Sequence, residues 1–529
     1  MAMARRTLPT LAVLAAAMLS PASAAPPTTP KPAPQAPAAF STTCNSKPYT
    51  YNELAGYGFL PHDARDKYGD TISFGSSIAF SSWRKVSPKR YVGEFYGLPD
   101  RGWNTEGTVN FQPRIHKLSV TLAVSNGPNP NVHFKYLDTI LLTGPDGKPA
   151  TGLDPDQTSG FSYKGFPLLP AATYAGDGFG GSGPGGKRVS LDTEALVLGK
   201  DGTFWISDEY GPYVYQFDRR GRMIIAVAPP DAILPLRNGS VSFSSDNPPR
   251  YDPAKHPVPV NPTQGRQNNQ GFEGMAASPD GKTLWVLLQS AARQEGGKDS
   301  ATRRYARLLE YSVKGSRGPQ YSAEYVVPLP TFKNAEGKTR VAAQSELHYV
   351  SGTQFLLLSR DSNNGRGLDS SQSLYRHVDV VDIKDATNVK GGKYDVFNAS
   401  IASSDGVLHP EIKPATVCAF LDINNNAQLN RFGVHNGGPQ DTGLLNEKWE
   451  GLALVPVDDD DGHHAHGHGD KSKGEEYFLF VASDNDFISQ NGYMKCGQIP
   501  FKDSSGVSLD NQVLVFRVTV PKASERLAM

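Results

Sequence analysis

Seven acidic residues recur at matching places in this sequence. Glu194, Glu273, Glu346 and Glu450 each open a short apolar run, and Asp208, Asp361 and Asp484 each close the run that follows. Glu194 to Asp208 and Glu346 to Asp361 span nearly equal lengths of chain. Glu450 to Asp484 is longer because a polar, His/Asp-rich loop is inserted at 457–476. If the two runs are antiparallel strands joined by a turn, the start of one lies beside the end of the next. Glutamate and aspartate of one unit then share one end of it, and several units around an axis make a ring of carboxylates. Such a ring is unfavourable unless cations neutralise it or protons stay bound. Calcium suits it, as a hard ion that accepts about six to eight oxygens in loose geometry. The side-chain carbonyls of Asn363, Asn364 and Asn485 stand nearby in sequence. Each carboxylate alone could instead cap a turn of its own unit.

The elements that must position these residues are short strands. Apolar segments rich in Val, Ile, Phe, Tyr and Trp are bounded by turn residues, Gly (53) and Pro (41) are abundant, and long amphipathic helical patterns are missing. One unit runs Asp192-Thr193-Glu194-Ala195, then the turn Gly199-Lys200-Asp201-Gly202, then Thr203 to Glu209, then Val214 to Asp218. The order returns from Phe272, from Ser345 and from Trp449; a weaker copy at Ser76-Ser77-Ile78-Ala79-Phe80 has serine in place of the glutamate. Antiparallel strands recurring through a chain of this size point to an all-β fold, a single β-propeller. Five units are legible. The Gly/Pro-rich stretch 144–188 has room for a sixth, so six blades are expected, with seven the alternative.

The N-terminus sets the compartment. Arg5 and Arg6 precede the apolar stretch Leu8 to Leu19 and the small residues Pro21-Ala22-Ser23-Ala24, so residues 1–24 read as a signal peptide. Residues 25–43 read as a Pro-rich linker, and 44–529 as the domain. The protein is expected to be secreted, extracellular and monomeric. Lys+Arg and Asp+Glu both number 53, a neutral balance that suggests neither nucleic acid nor membrane as partner and does not concentrate a highly anionic substrate. Three cysteines allow one disulfide; Cys418–Cys496 is expected, because both lie in the C-terminal third. Asn238 and Asn398 head glycosylation sequons.

Several of these segments together resemble a known family. Asp100-Arg101-Gly102, Asp192-Thr193-Glu194-Ala195, Trp205-Ile206-Ser207-Asp208-Glu209-Tyr210-Gly211-Pro212 and Trp449-Glu450-Gly451-Leu452-Ala453 are similar to the phytase-like domain described as having esterase-like activity of phytase. The likeness runs from about residue 70 to about residue 520. It implies a secreted or periplasmic propeller that hydrolyses phosphoester or ester bonds in a small-molecule substrate.

The chemistry expected of such a site is metal-assisted. Calcium on Glu194, Asp208, Glu273, Glu346, Asp361, Glu450 and Asp484 would polarise a phosphoryl or carbonyl oxygen and orient water. Arg101 and Arg360 could bind a phosphate bidentately, and Glu209 or His348 could act as base. A lactonase or esterase propeller, or a non-catalytic binding propeller with structural calcium, are the alternatives. The His463 to Asp470 stretch lies between Asp458–Asp461 and Lys471–Lys473 and reads as a solvated insert. No G-x-S-x-G nucleophile elbow occurs, against a serine α/β-hydrolase.

Overall fold

Short apolar runs broken by Gly, Asp and Asn turns fold here as antiparallel meanders. The structure, a computed structural model, describes residues 39–125, 127–313, 318–458 and 474–521. In one meander Thr193–Leu198 pairs with Phe204–Asp208, which pairs with Val214–Phe217, which pairs with Met223–Val227. Gly202 takes φ 79° in its first turn, a left-handed conformation that suits glycine. Two further sheets repeat this order: Phe272–Ala277, Thr283–Leu288, Tyr305–Ser312 and Gln320–Pro328, then Ala343–Ser351, Gln354–Arg360, Arg376–Asp382 and Thr416–Asp422. A nine-stranded sheet holds the rest. It consists of two four-stranded meanders and the short strand Phe40–Cys44, and a single parallel bridge, Gly58 to Val132, joins the meanders. One meander runs Ser77–Ser87, Arg90–Leu98, Arg114–Ala123 and Val132–Leu141. The other runs Trp449–Pro456, Glu475–Ser483, Asn511–Val520 and Lys47–Leu60.

Five four-stranded blades result, numbered here by the chain order of their first strands. Those first strands, Ser77–Ser87, Thr193–Leu198, Phe272–Ala277, Ala343–Ser351 and Trp449–Pro456, each touch the first strand of the next blade, and the fifth returns to the first. This closed ring of radial sheets is a propeller with the first strands innermost. Apolar side chains fill the wedges between blades. Trp285 of blade three stacks on Tyr349 of blade four with centroids 5.6 Å apart, and Trp83 of blade one meets Phe480 of blade five at 5.4 Å. Burying each such ring contributes about 1.5–3 kcal/mol. Gly274 explains the glycine after the repeat glutamate. A Cβ there would stand 2.5 Å from the backbone nitrogen of Leu347, so the approach of blades three and four excludes a side chain.

Three expectations change. The stretch 144–188 adds no blade: its strands Ala171–Tyr174 and Gly186–Val189 form a separate two-stranded ribbon, so the described residues make five blades and not six or seven. The linker ends earlier than residue 43, because Phe40–Cys44 pairs with the start of Lys47–Leu60. The disulfide is Cys44–Cys418, and Cys496 is a free, exposed thiol. Cys418 lies on the outer strand of blade four, facing the N-terminal hairpin that carries Cys44, with the Cα atoms 5.8 Å apart. Residues 1–38, with the expected signal peptide and most of the expected linker, lie outside the described residues, as do 459–473 of the polar loop. Asn238 and Asn398 are both exposed.

Candidate active site at the channel mouth

The innermost strands all begin at one end of the ring, and that end gathers the charge. Glu194, Glu273, Glu346 and Glu450 stand near the starts of their strands, with Ser77 in the equivalent place in blade one; all are buried. The hairpin of blade two closes back as its sequence requires. Asp208 lies opposite Thr193, and the Glu209 backbone N–H donates to the Asp192 carbonyl at 2.9 Å. Residues two apart on extended chain share a side, so Asp192 joins Glu194. Carboxylate oxygens of Asp192, Glu194 and Glu209 come within 4.8 Å of one another. Asp192 Oδ1, Glu209 Oε1, Glu273 Oε2 and Glu450 Oε2 are buried without a hydrogen-bond partner.

Crowding shows in the titration. Burial, then the Asp192 charge, pushes Glu209 up to about 8, against the opposing pull of Arg101 and Arg266. Burial pushes Asp192 up to about 6 although Arg101 beside it favours the charged form. Glu194 and Glu273 are also driven well up, by burial first and then by neighbouring carboxylates. These groups lack enough positive charge to ionise together, the condition that a bound cation relieves.

The other side of the mouth carries its own cations. Lys448 Nζ lies 2.7 Å from Asp486, 3.3 Å from Asp100 and 3.7 Å from Glu450. Burial would pull its pKa down, but Asp486, Glu450 and Asp100 outweigh that and hold the ammonium charged. Arg360 donates to Glu450 at 2.6 Å. Arg101 is paired with Asp192 and also donates to Asn269. The Nε–H groups of Arg101 and Arg360 remain unpartnered.

The expected metal residues divide by what their oxygens do. Glu194, Glu273 and Glu450 belong to the mouth. Asp208 accepts from the backbone N–H groups of Asp192 (2.8 Å) and Gly211 (2.9 Å). Asp361 accepts from Ser373 Oγ (2.6 Å), the Leu374 N–H (2.7 Å) and Asn364 (3.0 Å). Asp484 accepts from Ser73 (2.8 Å), Ser76 (3.2 Å) and the Asp486 N–H (2.6 Å). These three aspartates anchor turns at the blade ends. Glu346 reaches across the axis: its Oε2 accepts from Ser77 Oγ of blade one (2.6 Å), and its Oε1 from the N–H groups of Met275 (3.1 Å) and Leu347 (2.9 Å).

Glu209 sits in the carboxylate cluster, whereas His348 lies one inward position deeper along its strand than Glu346. Burial alone lowers the His348 pKa to about 4, with no charged neighbour contributing. The residues that sequence reading missed are Asp192 and Lys448 as site groups, and Gln289. Their signal was present: Asp192 and Lys448 stand two before a repeat glutamate and so share its side, and Gln289, just past the second strand of blade three where Gln289-Ser290 replaces Ser-Asp, donates its amide to Glu273.

A cluster of buried carboxylates with two arginines and a lysine can hold a hard cation and receive an anionic or carbonyl oxygen. The family model described as phytase-like, "Esterase-like activity of phytase", matches residues 80–487, which take in the charged mouth residues named above but not Ser77. The chain belongs to this family. An uncharacterised secreted protein of Arthroderma benhamiae is 52% identical over 466 residues, covering 85% of this chain and 90% of its own. Like that relative, the protein is secreted, and no helix among the described residues is long and apolar enough to cross a membrane. Among solved structures, a luciferin-regenerating enzyme matches at 10% identity and a TM-score of 0.26, with 90% of this chain and 100% of that one covered. A gluconolactonase of Xanthomonas campestris matches at 10% identity and 0.23, with 85% and 98% covered. Likenesses this low bear on neither substrate nor mechanism.

Proposed function

We propose that the channel mouth is the active site of a calcium-dependent hydrolase acting on phosphoester or carboxylic ester bonds. The observation that carries this reading is the buried meeting of Asp192, Glu194 and Glu209 within 4.8 Å, with oxygens of Asp192 and Glu209 left unpartnered. The donors are all carboxylate oxygens, with no imidazole or thiolate among them, a set suited to calcium rather than zinc. Asp192, Glu194 and Glu209 would hold the ion, with Glu273 beside them. Once bound, it supplies Lewis acidity toward a phosphoryl or carbonyl oxygen.

The chain's own groups do the rest. Arg101, fixed by Asp192 and Asn269, keeps its Nε–H for a substrate oxygen, and Arg360, fixed by Glu450, does the same. Their pairing with carboxylates lowers the net positive charge that a phosphate meets, so substrates of low charge are favoured over phytate. Glu273, held by Gln289 through Oε1, presents its free Oε2 as the group that orients or deprotonates water. The test is an activity screen of the secreted protein with aryl phosphate, phytate, aryl ester and lactone, each with calcium and with chelator. Calcium-dependent turnover of at least one substrate, abolished in the Asp192→Asn, Glu194→Gln double variant, is expected. Four flat substrates with calcium present would leave a non-catalytic binding propeller.

A further inference from the structure

Below the mouth the axis is not an open tunnel. Glu346 of blade four spans it to Ser77 of blade one, and Ser77 Oγ also accepts from the Leu196 N–H of blade two at 3.1 Å. With the Met275 N–H of blade three on Oε1, this crossbar ties four blades together and forms a roof. Beneath it lies a cavity of about 140 Å³, walled by all five innermost strands, with Ser77 and Glu346 at one end and Lys200, Ser278 and Gly281 of the strand-connecting turns at the other. Glu194, Glu273 and Glu450 do not line it.

The wall is apolar, with Ala79, Leu196, Met275 and Leu452 typical of it. His348 is the exception. Its Nε2 is buried with no hydrogen-bond partner, and it faces a space that no charged side chain other than Glu346 and the rim residue Lys200 lines. A buried polar atom without a partner is costly unless something satisfies it. An apolar cavity of about this size can hold a benzene-sized molecule. We infer that this chamber is a second binding site, separate from the mouth, for a small neutral aromatic molecule with one hydroxyl, a phenol, whose ring fills the apolar wall and whose hydroxyl pairs with His348 Nε2. Charge on the ligand is disfavoured there, because the wall around His348 is apolar. Lys200, on the exposed rim, is a point of entry and not a partner in the chamber.

The site is tested by ¹⁹F NMR titration of the full secreted chain with 4-fluorophenol and with fluorobenzene. Saturable binding of 4-fluorophenol is expected, weakened about fivefold in His348→Leu, the loss of one neutral hydrogen bond, with fluorobenzene binding unchanged. His348→Gln, which keeps a donor, is expected to restore most of the difference, and matched thermal melting of the variants checks that each is folded. Glu194→Gln and removal of calcium are expected to leave this binding intact, so a hydrolase reading that fails does not carry the chamber with it. Absence of saturable binding, or equal affinity in the wild type and a folded His348→Leu, would overturn the inference.

Discussion

The two sides of the channel mouth solve one electrostatic problem differently. On the side of blades one and five, Asp100, Glu450 and Asp486 surround Lys448, and Arg360 completes Glu450. On the side of blades two and three, Asp192, Glu194, Glu209 and Glu273 have, among the described residues, Arg101 alone as an ion-pair partner. The difference comes down to one position. Two residues before the repeat glutamate, blade five has Lys448 and blade two has Asp192. The lysine closes its side with a covalently attached cation, whereas the aspartate adds a fourth carboxylate to the side on which we propose a diffusible one. A ring built by repetition thus acquires two unlike sides through opposite charges in two copies, where the other three carry Gly75, Gly271 and Gln344.

The largest effect is expected from removing Lys448. Lys448→Met leaves Asp100 and Asp486 uncompensated and Glu450 with Arg360 alone, and a loss of about 3–5 kcal/mol in folding stability is expected without calcium, as when one partner of a buried pair is deleted. Urea denaturation with and without calcium checks this. Part of the loss should return with the ion, and the calcium stoichiometry by titration calorimetry should rise. If Lys448→Met is as stable as the wild type in chelator, the two sides do not differ as described.

Next in size is the open side itself. Asp192→Asn with Glu194→Gln is expected to weaken calcium binding at least about 100-fold, more than the loss of an outer-shell partner usually does, and to remove calcium-dependent hydrolysis with it. Calorimetry and the activity screen read the two losses together.

How much of this was legible in the sequence depends on how local each signal is. The blades' first two strands carry a turn and an apolar run within one unit, so the repeat and its glutamates could be read directly. The fourth strands are set by pairing with a neighbour; Met223–Val227 and Thr416–Asp422 show little pattern of their own. Their absence from the reading left 144–188 looking like unassigned blade. The cysteine partner was hidden for a related reason. Cys44 and Cys418 are 374 residues apart and meet only because the ring closes. The carboxylates sorted themselves by hydrogen bonds that no spacing discloses: Asp208, Asp361 and Asp484 are held by turn N–H and hydroxyl groups, whereas Glu273 and Glu450 keep an oxygen free.

A third way of neutralising a buried carboxyl sharpens the comparison. Glu346 has no cation paired with it and is pushed by burial from 4.5 to about 8. Its protonated form is the one the fold favours, so its contribution to stability is full below about pH 4.5 and is lost as pH rises through about 8. The melting temperature in chelator is expected to fall across that window, and to fall less in Glu346→Gln; identical pH profiles for both proteins would show that this group does not titrate there. The smallest effect belongs to Gln289→Ala. It releases one oxygen of Glu273, so a stability change of about 1 kcal/mol and a lower turnover at unchanged calcium affinity are expected, read by denaturation and by the kcat of the calcium-loaded protein.

The pairing of Lys47–Leu60 with Asn511–Val520 has a consequence in time. The ring is fastened by its earliest blade strand meeting its latest, so synthesis must pass residue 520 before blade five gains its outer edge. Until Lys47–Leu60 docks, Asn511–Val520 is an unprotected edge strand and blade one has a gap beside it, the kind of exposed edge that recruits other chains. Contacts this distant in sequence also form slowly. The vulnerable interval of this protein therefore falls at the end of folding, when four blades are complete and the fifth waits for a strand made first.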